Sequence, residues 1–575
     1  DVNLFLTLLN DLFPNIHCPE ISYENLNRII KEILIKQQYI LVSEQIEKII
    51  QLYETMMTRH STMLVGPTSG GKTVVLNTLA EAQTQMGMKT NLYTLNPKAL
   101  SVIELYGTLD PLTQKYYLYV GEWTDGVVSM LYRMINRPAI RNERRYIVFD
   151  GDVDALWIEN MEFMDDNKLL TLANGERIRL QDYCSLLFEV GDLKYASPAT
   201  VSRCGMIYVD PENLGPYPIW KRWLSMNLTD RSNEKDQLDL LYDRYTKNVL
   251  NFIYHGLTET GQRPRMKMIV PFQVNIIVQL TKLLDSLFLP LINHEKKDQL
   301  ELNSDKIHAI FLQAFIWSFG ACLKQEDRII LDTFIKYLSG LSTVSIDSKA
   351  KSGQLPNEKF LLFDYIFQPE LDQWIKWNDL IPKYEHDRSK RFTELLVPTI
   401  DTIRLGMIKT KNISVHLKYT ISISPLLEND NIDLEWLIKS MITIHQPVLF
   451  VGDTGSSKTA TILSYIRNFD SQYTNLILNF SSRTKSIDVQ RSIESQLEKR
   501  SKDTYGPTAG TKLIIFLDDI SMPKIDQYGT QQSIALLKLL IEKHGMYERT
   551  GELNWKFITD IDWIAAMSTP GNELL

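Results

Sequence analysis

The sequence predicts an α/β protein in which one plan occurs twice. Two P-loop nucleotide-binding modules, each a parallel sheet with flanking helices, are separated by an α-helical small domain. Three observations predict this. Two phosphate-loop patterns stand far apart, Gly66-Pro67-Thr68-Ser69-Gly70-Gly71-Lys72-Thr73 and Gly452-Asp453-Thr454-Gly455-Ser456-Ser457-Lys458-Thr459. Each follows a short apolar run, Met63-Leu64-Val65 and Val448-Leu449-Phe450-Val451, and opens a helical pattern. Each is followed by an apolar run ending in aspartate, Tyr146 to Asp150 and Leu513 to Asp518. Strands alternating with helices build parallel sheets.

The elements follow in order. After the first loop Val75, Leu76, Leu79 and Ala80 share a helical face, and after the second Ile462, Leu463 and Ile466 do. Lys and Asp are 78 residues apart in the first half (Lys72, Asp150) and 60 in the second (Lys458, Asp518). A third apolar strand comes next, Leu186 to Val190 and Trp563 to Met567. Between the halves the period is helical. Leu238, Leu241, Tyr245, Val249 and Phe252 form one face, and Phe272, Ile276, Leu280, Leu283 and Leu287 another. Ile307 to Leu323 is apolar almost all round, as in a buried helix. Ser342 to Lys359, with Gly353 and Pro356, is the best loop candidate. Trp374 and Trp377 have the spacing of a packed helix face.

Composition narrows the function classes. The chain has 575 residues, with 44% hydrophobic and 23% charged, an ordinary globular balance. The net charge of −8 argues against a nucleic-acid partner. No run of 18 apolar residues exists, so no membrane partner is expected. Cys18, Cys184, Cys204 and Cys322 are scattered and read as reduced thiols. The first residue is Asp1 and the last segment, Gly571 to Leu575, brings no change of composition; both ends read as cut from something longer.

The loops carry the chemistry. Their glycines let backbone N–H groups curl around phosphate oxygens at a helix N-terminus. Lys72 and Lys458 are placed to reach the β- and γ-phosphates. Thr73 with Asp150, and Thr459 with Asp518, are placed to hold Mg²⁺. The cofactors expected are ATP or ADP with Mg²⁺. In the second loop Ser457 stands where glycine precedes the lysine, and its Cβ narrows the approach to phosphate. Hydrolysis also needs an acid that positions water. Asp150 is followed by Gly151, so the first site is expected to bind ATP and turn it over very slowly or not at all. Asp152 is the nearest substitute. Asp518 is followed by Asp519, a weak water-positioning acid one methylene short of glutamate. Two look-alikes fail. Gly506 to Lys512 precedes a strand instead of following one, and the calcium spacing of Asp150, Asp152 and Asp154 ends in Ala155 and Met161 where Gly and Glu are required.

Longer motifs carry a family resemblance. Leu95-Asn96-Pro97-Lys98-Ala99, Glu104-Leu105-Tyr106-Gly107, Gly121-Glu122-Trp123-Thr124-Asp125-Gly126, Phe149 to Asn160, Asp165 to Glu176 and Ala196 to Gly205 resemble the second AAA+ module of axonemal dynein heavy chains. Val397 to Thr402, the variant loop and Phe516-Leu517-Asp518-Asp519-Ile520-Ser521-Met522-Pro523 resemble the third. The resemblance spans essentially the whole chain and implies these boundaries: 1–23 a preceding tail or linker, 24–212 the large part of module two, 213–340 its helical small part, 341–394 a linker with connecting helices, and 395–575 the large part of module three.

It implies a central piece of a six-module motor ring that drives minus-end-directed microtubule sliding, in the cytoplasm and cytoskeleton of the ciliary or flagellar axoneme. Module two would use ATP structurally and module three as a regulatory site. The parent chain would be an ATPase and these residues would contribute little or no hydrolysis. Implied partners are the neighbouring modules, the linker domain, and, through regions not in this chain, intermediate chains, light chains and microtubules. Arg203 matches the family's arginine finger and would serve the preceding module. The polar sensor after the third strand falls nearest Asp192 in one half and Ser568 or Thr569 in the other. Adenine would pack on Leu41 and Val42, and on Val397 and Pro398. Two alternatives are a module of a midasin-like ribosome-assembly ATPase, which Gly151 and Asp519 argue against, and a nucleotide-free scaffold with vestigial loops, which Lys72, Thr73 and Asp150 argue against.

Overall fold

The computed structural model describes residues 12, 23–110, 122–138, 143–158, 168–229, 231–258, 261–262, 266, 273–289, 291, 302–320, 323, 325–345, 349–376, 379, 422–423, 442, 445–451, 458–467, 472–549 and 551–568. Two amphipathic helices lead in, α1 (Glu24–Lys36) and α2 (Ser43–Thr58). Their buried Ile30, Ile33, Ile49 and Leu52 recur at helical spacing. β1 (Ser61–Val65) runs into the first phosphate loop and α3 (Lys72–Gln85) leaves it. β2 (Lys89–Leu95), β3 (Glu143–Asp150), β4 (Cys184–Val190) and β5 (Gly205–Tyr208) complete the sheet, with α4 (Pro198–Arg203) before β5. The order is β2-β3-β4-β1-β5, and every pair is parallel. β4 is buried along its whole length, which is why it reads as a continuous apolar run. Register sets Val65 beside Val190 and Asp150 beside Glu189, so β1, β3 and β4 end on one edge.

The helical part follows: α5 (Tyr217–Asn227), α6 (Ser232–His255), α7 (Gln273–Leu287), α8 (Ser304–Gly320) and α9 (Gln325–Ser339). The expected face of α6 is buried at Leu238, Tyr245, Val249 and Phe252, and that of α7 at Ile276, Leu280 and Leu283; Phe272 lies outside the described residues. α8 is buried on all sides from Ile307 onward. Of the stretch 341–394 expected to hold a linker and connecting helices, 346–348, 377–378 and 380–394 lie outside the described residues, and 365–376 is a hairpin and not a helix. β6 (Tyr365–Gln368) and β7 (Gln373–Lys376) form an antiparallel hairpin. Trp374 is a strand residue, its ring 5.3 Å from that of Phe367 directly opposite. The cause is local: Asp372 takes φ 51° in the turn, a left-handed conformation that reverses the chain. Trp377 lies outside the described residues.

The second sheet repeats the first. β8 (Ser422–Ile423), β9 (Val448–Val451), β10 (Tyr473–Asn479), β11 (Lys512–Asp518) and β12 (Ile561–Met567) run parallel in the order β8-β9-β12-β11-β10, with helices α10 (Lys458–Arg467) and α11 (Gln532–Lys543). β9 holds the place of β1 and β11 that of β3. The core of the helical part continues onto this sheet, where Phe450, Ile514, Phe516 and Ile564 join Phe311 and Phe315.

The two α/β parts also touch directly. Tyr547 sits in the first core and Ala99 in the second. Arg549 donates to both oxygens of Glu104 at 2.8 and 2.9 Å. Lys98 pairs with Asp154 at 3.1 Å and donates to Thr530 at 2.6 Å. Cys184 and Cys204 are buried free thiols, and burial pushes both up to about 12. Among the described residues no helix is long and apolar enough to cross a membrane.

Candidate functional site

A cavity of about 620 Å³ opens where the first phosphate loop meets the ends of β3 and β4. Thr68, Ser69, Gly70, Gly71, Lys72 and Thr73 form its floor. The loop begins at Gly66, where any Cβ would run into the carbonyl of Val209 on the strand beside it. It ends at Gly71, whose φ of 86° is a left-handed conformation that suits glycine and starts α3. The first turn of α3 therefore turns its N–H groups toward the cavity. Lys72 Nζ donates to the carbonyls of Gly66 and Pro67, at 2.8 Å for the latter. The Ser69 hydroxyl donates to Asn275 Oδ1 of α7 at 2.8 Å, so the helical part also holds the loop.

The acidic side is not arranged as the motif alone suggests. Thr73 donates to Glu189 Oε2 at 2.8 Å. Asp150 forms an ion pair with Lys538 of α11 at 2.9 Å. Burial works against the Lys538 charge, but Asp150, Glu542 and Glu189 outweigh it and hold the ammonium above its ordinary range. Glu189 is 5% exposed and stands one residue before the end of β4. It takes the place expected of Asp192, which instead accepts from the N–H of Lys194 in its own turn at 3.0 Å. Asp152 accepts from the N–H of Gly191 at 2.8 Å. Gly151 leaves only a tight space for the missing acid: a Cβ there would lie 3.1 Å from Asn96 Oδ1, which would have to give way by a few tenths of an ångström.

The helical part and the chain before β1 supply the remaining wall. Tyr39 and Ile40 line the cavity; Leu41 does not, and is 42% exposed. Arg222 lies 3.9 Å over the Tyr39 ring. Trp223 donates to Asp285 at 2.6 Å, and Lys282 pairs with the same carboxylate at 3.4 Å. Burial raises the Asp285 carboxyl in spite of both.

The second site keeps the simpler arrangement. Thr459 donates to Asp518 at 2.9 and 3.0 Å, and Lys458 is buried. Burial raises the Asp518 carboxyl despite that bond. β11 stops at Asp518; Asp519 turns away at φ 54°, exposed, with its N–H on Asp518 Oδ1 at 3.1 Å. Ser568 meets Ser521 at 3.2 Å. Gly452, Asp453, Thr454, Gly455, Ser456 and Ser457 lie outside the described residues, as do Val397, Pro398 and Thr569. Arg203 closes α4 just before β5, whose Gly205 pairs with Thr62 near the start of β1. At about 3.3 Å per strand residue it is set off roughly 15 Å from the phosphate loop of its own module.

The first site fits a magnesium nucleotide by its donor set. A left-handed glycine cradle, a lysine, a hydroxyl and a strand-end carboxylate converge on one cavity. When bound, magnesium supplies charge that offsets the phosphate oxygens. Thr73 and Asp150, and in the second site Thr459 and Asp518, would hold it.

Comparison with known families matches residues 426–574 to the P-loop containing dynein motor region and 238–379 to the dynein heavy chain AAA lid domain. Residues 1–73 match the hydrolytic ATP binding site of the dynein motor region, a match that ends at Thr73 and does not reach Asp150. Human dynein axonemal heavy chain 10 is 47% identical over 99% of the chain. The chain belongs to the axonemal dynein heavy chains. The Dynein-1-alpha heavy chain of the flagellar inner arm I1 complex from Chlamydomonas reinhardtii is 44% identical, and human dynein axonemal heavy chain 6 is 34% identical, each over 99% of the chain. The chain spans 12 to 13% of these relatives' length. Membership assigns an axonemal, cytoskeletal setting in cilia or flagella and an ATP-binding motor region, and it removes the midasin-like alternative.

Sequence reasoning missed Glu189 and Lys538. The first was visible as one charge in an apolar run, and the second left no local signal. Tyr39, Arg222, Trp223 and Asp285 are contributions of packing.

Proposed function

We propose that this stretch of a dynein heavy chain forms modules two and three of the motor ring. Module two holds Mg·ATP as a structural ligand without hydrolysis, and module three is a regulatory nucleotide site with weak turnover. The observation that carries this is the arrangement around Asp150. A complete phosphate cradle faces it, while the next residue is Gly151, its side-chain space taken up by Asn96. The site can grip polyphosphate, and among the described residues the acids that line it are each engaged elsewhere: Asp150 by Lys538, Asp152 by the N–H of Gly191, Glu189 by Thr73 and Asp285 by Trp223. In module three Asp519 is exposed and turned out of the strand, which fits slow turnover. Ser457 matches Gly71 in the motif, a position that takes φ 86° in the first loop and disfavours a Cβ; this fits weaker binding.

Arg203, remote from its own phosphate loop, is offered to the preceding module as its arginine finger. The whole motor would drive microtubule sliding through neighbouring modules, linker, intermediate and light chains. A relative at 44% identity carries the flagellar inner arm I1 name. This supports an inner-arm setting. The test is calorimetric titration of the chain with Mg·ATP alongside phosphate release. Lys72→Ala should abolish the tighter of two binding events and leave the slow release unchanged. Brisk turnover that Lys72→Ala removes would overturn the assignment. In the full-length motor Arg203→Ala should slow hydrolysis at the preceding module.

A further inference from the structure

We infer that Lys538 is a polyphosphate-binding residue delivered to the first site from across the module boundary, through which module three senses what that site holds. This rests on the nucleotide reading of the first site and adds a residue to it from the other module.

Lys538 projects from α11, whose Ala535, Leu536, Leu537, Leu540 and Ile541 are buried in the second core. The helix is thus a fixed part of module three. Its ammonium nevertheless lines the same cavity as Lys72, Thr73 and Asp150. Its partner there is Asp150, 2.9 Å away, 388 residues distant in sequence. The same carboxylate is the one placed to hold magnesium. One carboxylate does not serve a divalent ion and an ammonium equally well, since the two cations repel. A metal at Asp150 therefore weakens the hold on Lys538 and leaves the ammonium facing the phosphates.

The charge balance agrees. Among the described residues the cavity lining carries four cationic and four anionic side chains. A magnesium-bound triphosphate adds net negative charge, and an added cation favours it over a diphosphate. A cation supplied in trans to a nucleotide is a known way of tying occupancy to the placement of a neighbour.

The surroundings make the lysine a sensor as well as a ligand. On its N-terminal side, one turn back on the same helix, Ala535 accepts from Asn96 at 3.4 Å, and Thr530, just before the helix, accepts from Lys98 at 2.6 Å. Asn96 is the side chain that fills the space at Gly151. A displacement of Lys538 is felt at once by the segment beside Asp150.

The experiment uses the whole chain with Lys458→Ala, so that the first site alone is titrated with Mg·ATP and Mg·ADP by calorimetry. Lys538→Gln should weaken Mg·ATP by about tenfold or more, as loss of a charge-assisted bond does, and weaken Mg·ADP less than threefold. Lys538→Arg should restore the ratio. The ratio is read from folded protein, so partial unfolding does not mimic the effect. An unchanged Mg·ATP affinity, or equal losses for both nucleotides, overturns the inference. If Lys72→Ala abolishes binding while Lys538→Gln moves nothing, the nucleotide site stands and the role of Lys538 falls. If the Lys458→Ala chain binds neither nucleotide, both fall.

Discussion

The Thr73 hydroxyl donates a hydrogen bond to Glu189 at 2.8 Å, whereas the hydroxyl of Thr459, its counterpart, donates to Asp518 at 2.9 Å. In the first site the acid strand and the hydroxyl proposed to hold magnesium are thus parted: Asp150 is engaged by Lys538 and Thr73 by a glutamate of the next strand. A buried carboxylate beside the phosphate loop repels phosphate. Glu189→Gln keeps an oxygen for Thr73 and removes the charge. Magnesium-free ATP should bind about tenfold tighter, the order expected for one unit charge at ~6 Å in a partly screened site. Titration in EDTA checks this, and no gain would mean that the carboxylate is not felt at the phosphates.

Restoring the missing acid should not restore hydrolysis. Gly151→Glu forces a Cβ to within 3.1 Å of Asn96 Oδ1. Asn96 cannot swing away cheaply, because it accepts from the N–H of Lys98 at 3.0 Å and donates to Ala535 of the second α/β part at 3.4 Å. The variant should lose about 1–3 kcal/mol, the usual cost of overpacking, and its phosphate release should stay at background. Thermal melting and a release assay report both, and vigorous turnover would refute the steric account.

Local features were legible in the sequence and long-range ones were not. The first loop, Asp150, Asp518, the strands after them and the face of α6 rest on motif spacing and period, which need only neighbouring residues; the second loop, Gly452 to Ser457, lies outside the described residues. Glu189 was hidden inside an apolar run, and its role follows from the β3–β4 register that sets it beside Asp150. Lys538 belongs to a helix whose sequence says only that it packs. Trp374 misled because a spacing of three suits a helix face, while the turn at Asp372 makes a hairpin.

The module boundary should weaken in acid. Burial raises the Glu104 carboxyl, but the N–H of Ser101 and the Arg549 guanidinium outweigh that and hold it below its ordinary 4.5. A depressed carboxylate contributes stability that is full above the unfolded value and is lost as pH falls through the folded one. Contacts between the modules should therefore hold at neutral pH and fail below about pH 4.5. Arg549→Ala should cost about 3–5 kcal/mol at pH 7, since it leaves a half-buried carboxylate without its cation. Denaturant melts of the variant at pH 7 and of the wild type across the acid range test the pair. A variant as stable as the wild type would remove Arg549 as the clamp.

The helical part should show a separate pH response at a single histidine. His308 on α8 is 9% exposed, and its ring meets the Tyr245 hydroxyl at 2.7 Å. Burial, helped by the charge of Arg244, pulls its pKa from 6.5 down to about 4. The folded state thus favours neutral imidazole, and the unfolded chain binds the extra proton between pH 4 and 6.5. Stability from this group is full above pH 6.5 and declines as pH falls toward 4, by about 3 kcal/mol at roughly 1.4 kcal/mol per unit. His308→Gln keeps a hydrogen-bonding partner for Tyr245 and cannot titrate. Its melting temperature should be lower than wild type at pH 7.5 but fall less steeply between pH 6.5 and 4. Parallel curves for the two proteins would show that the imidazole takes its proton without unfolding the helices.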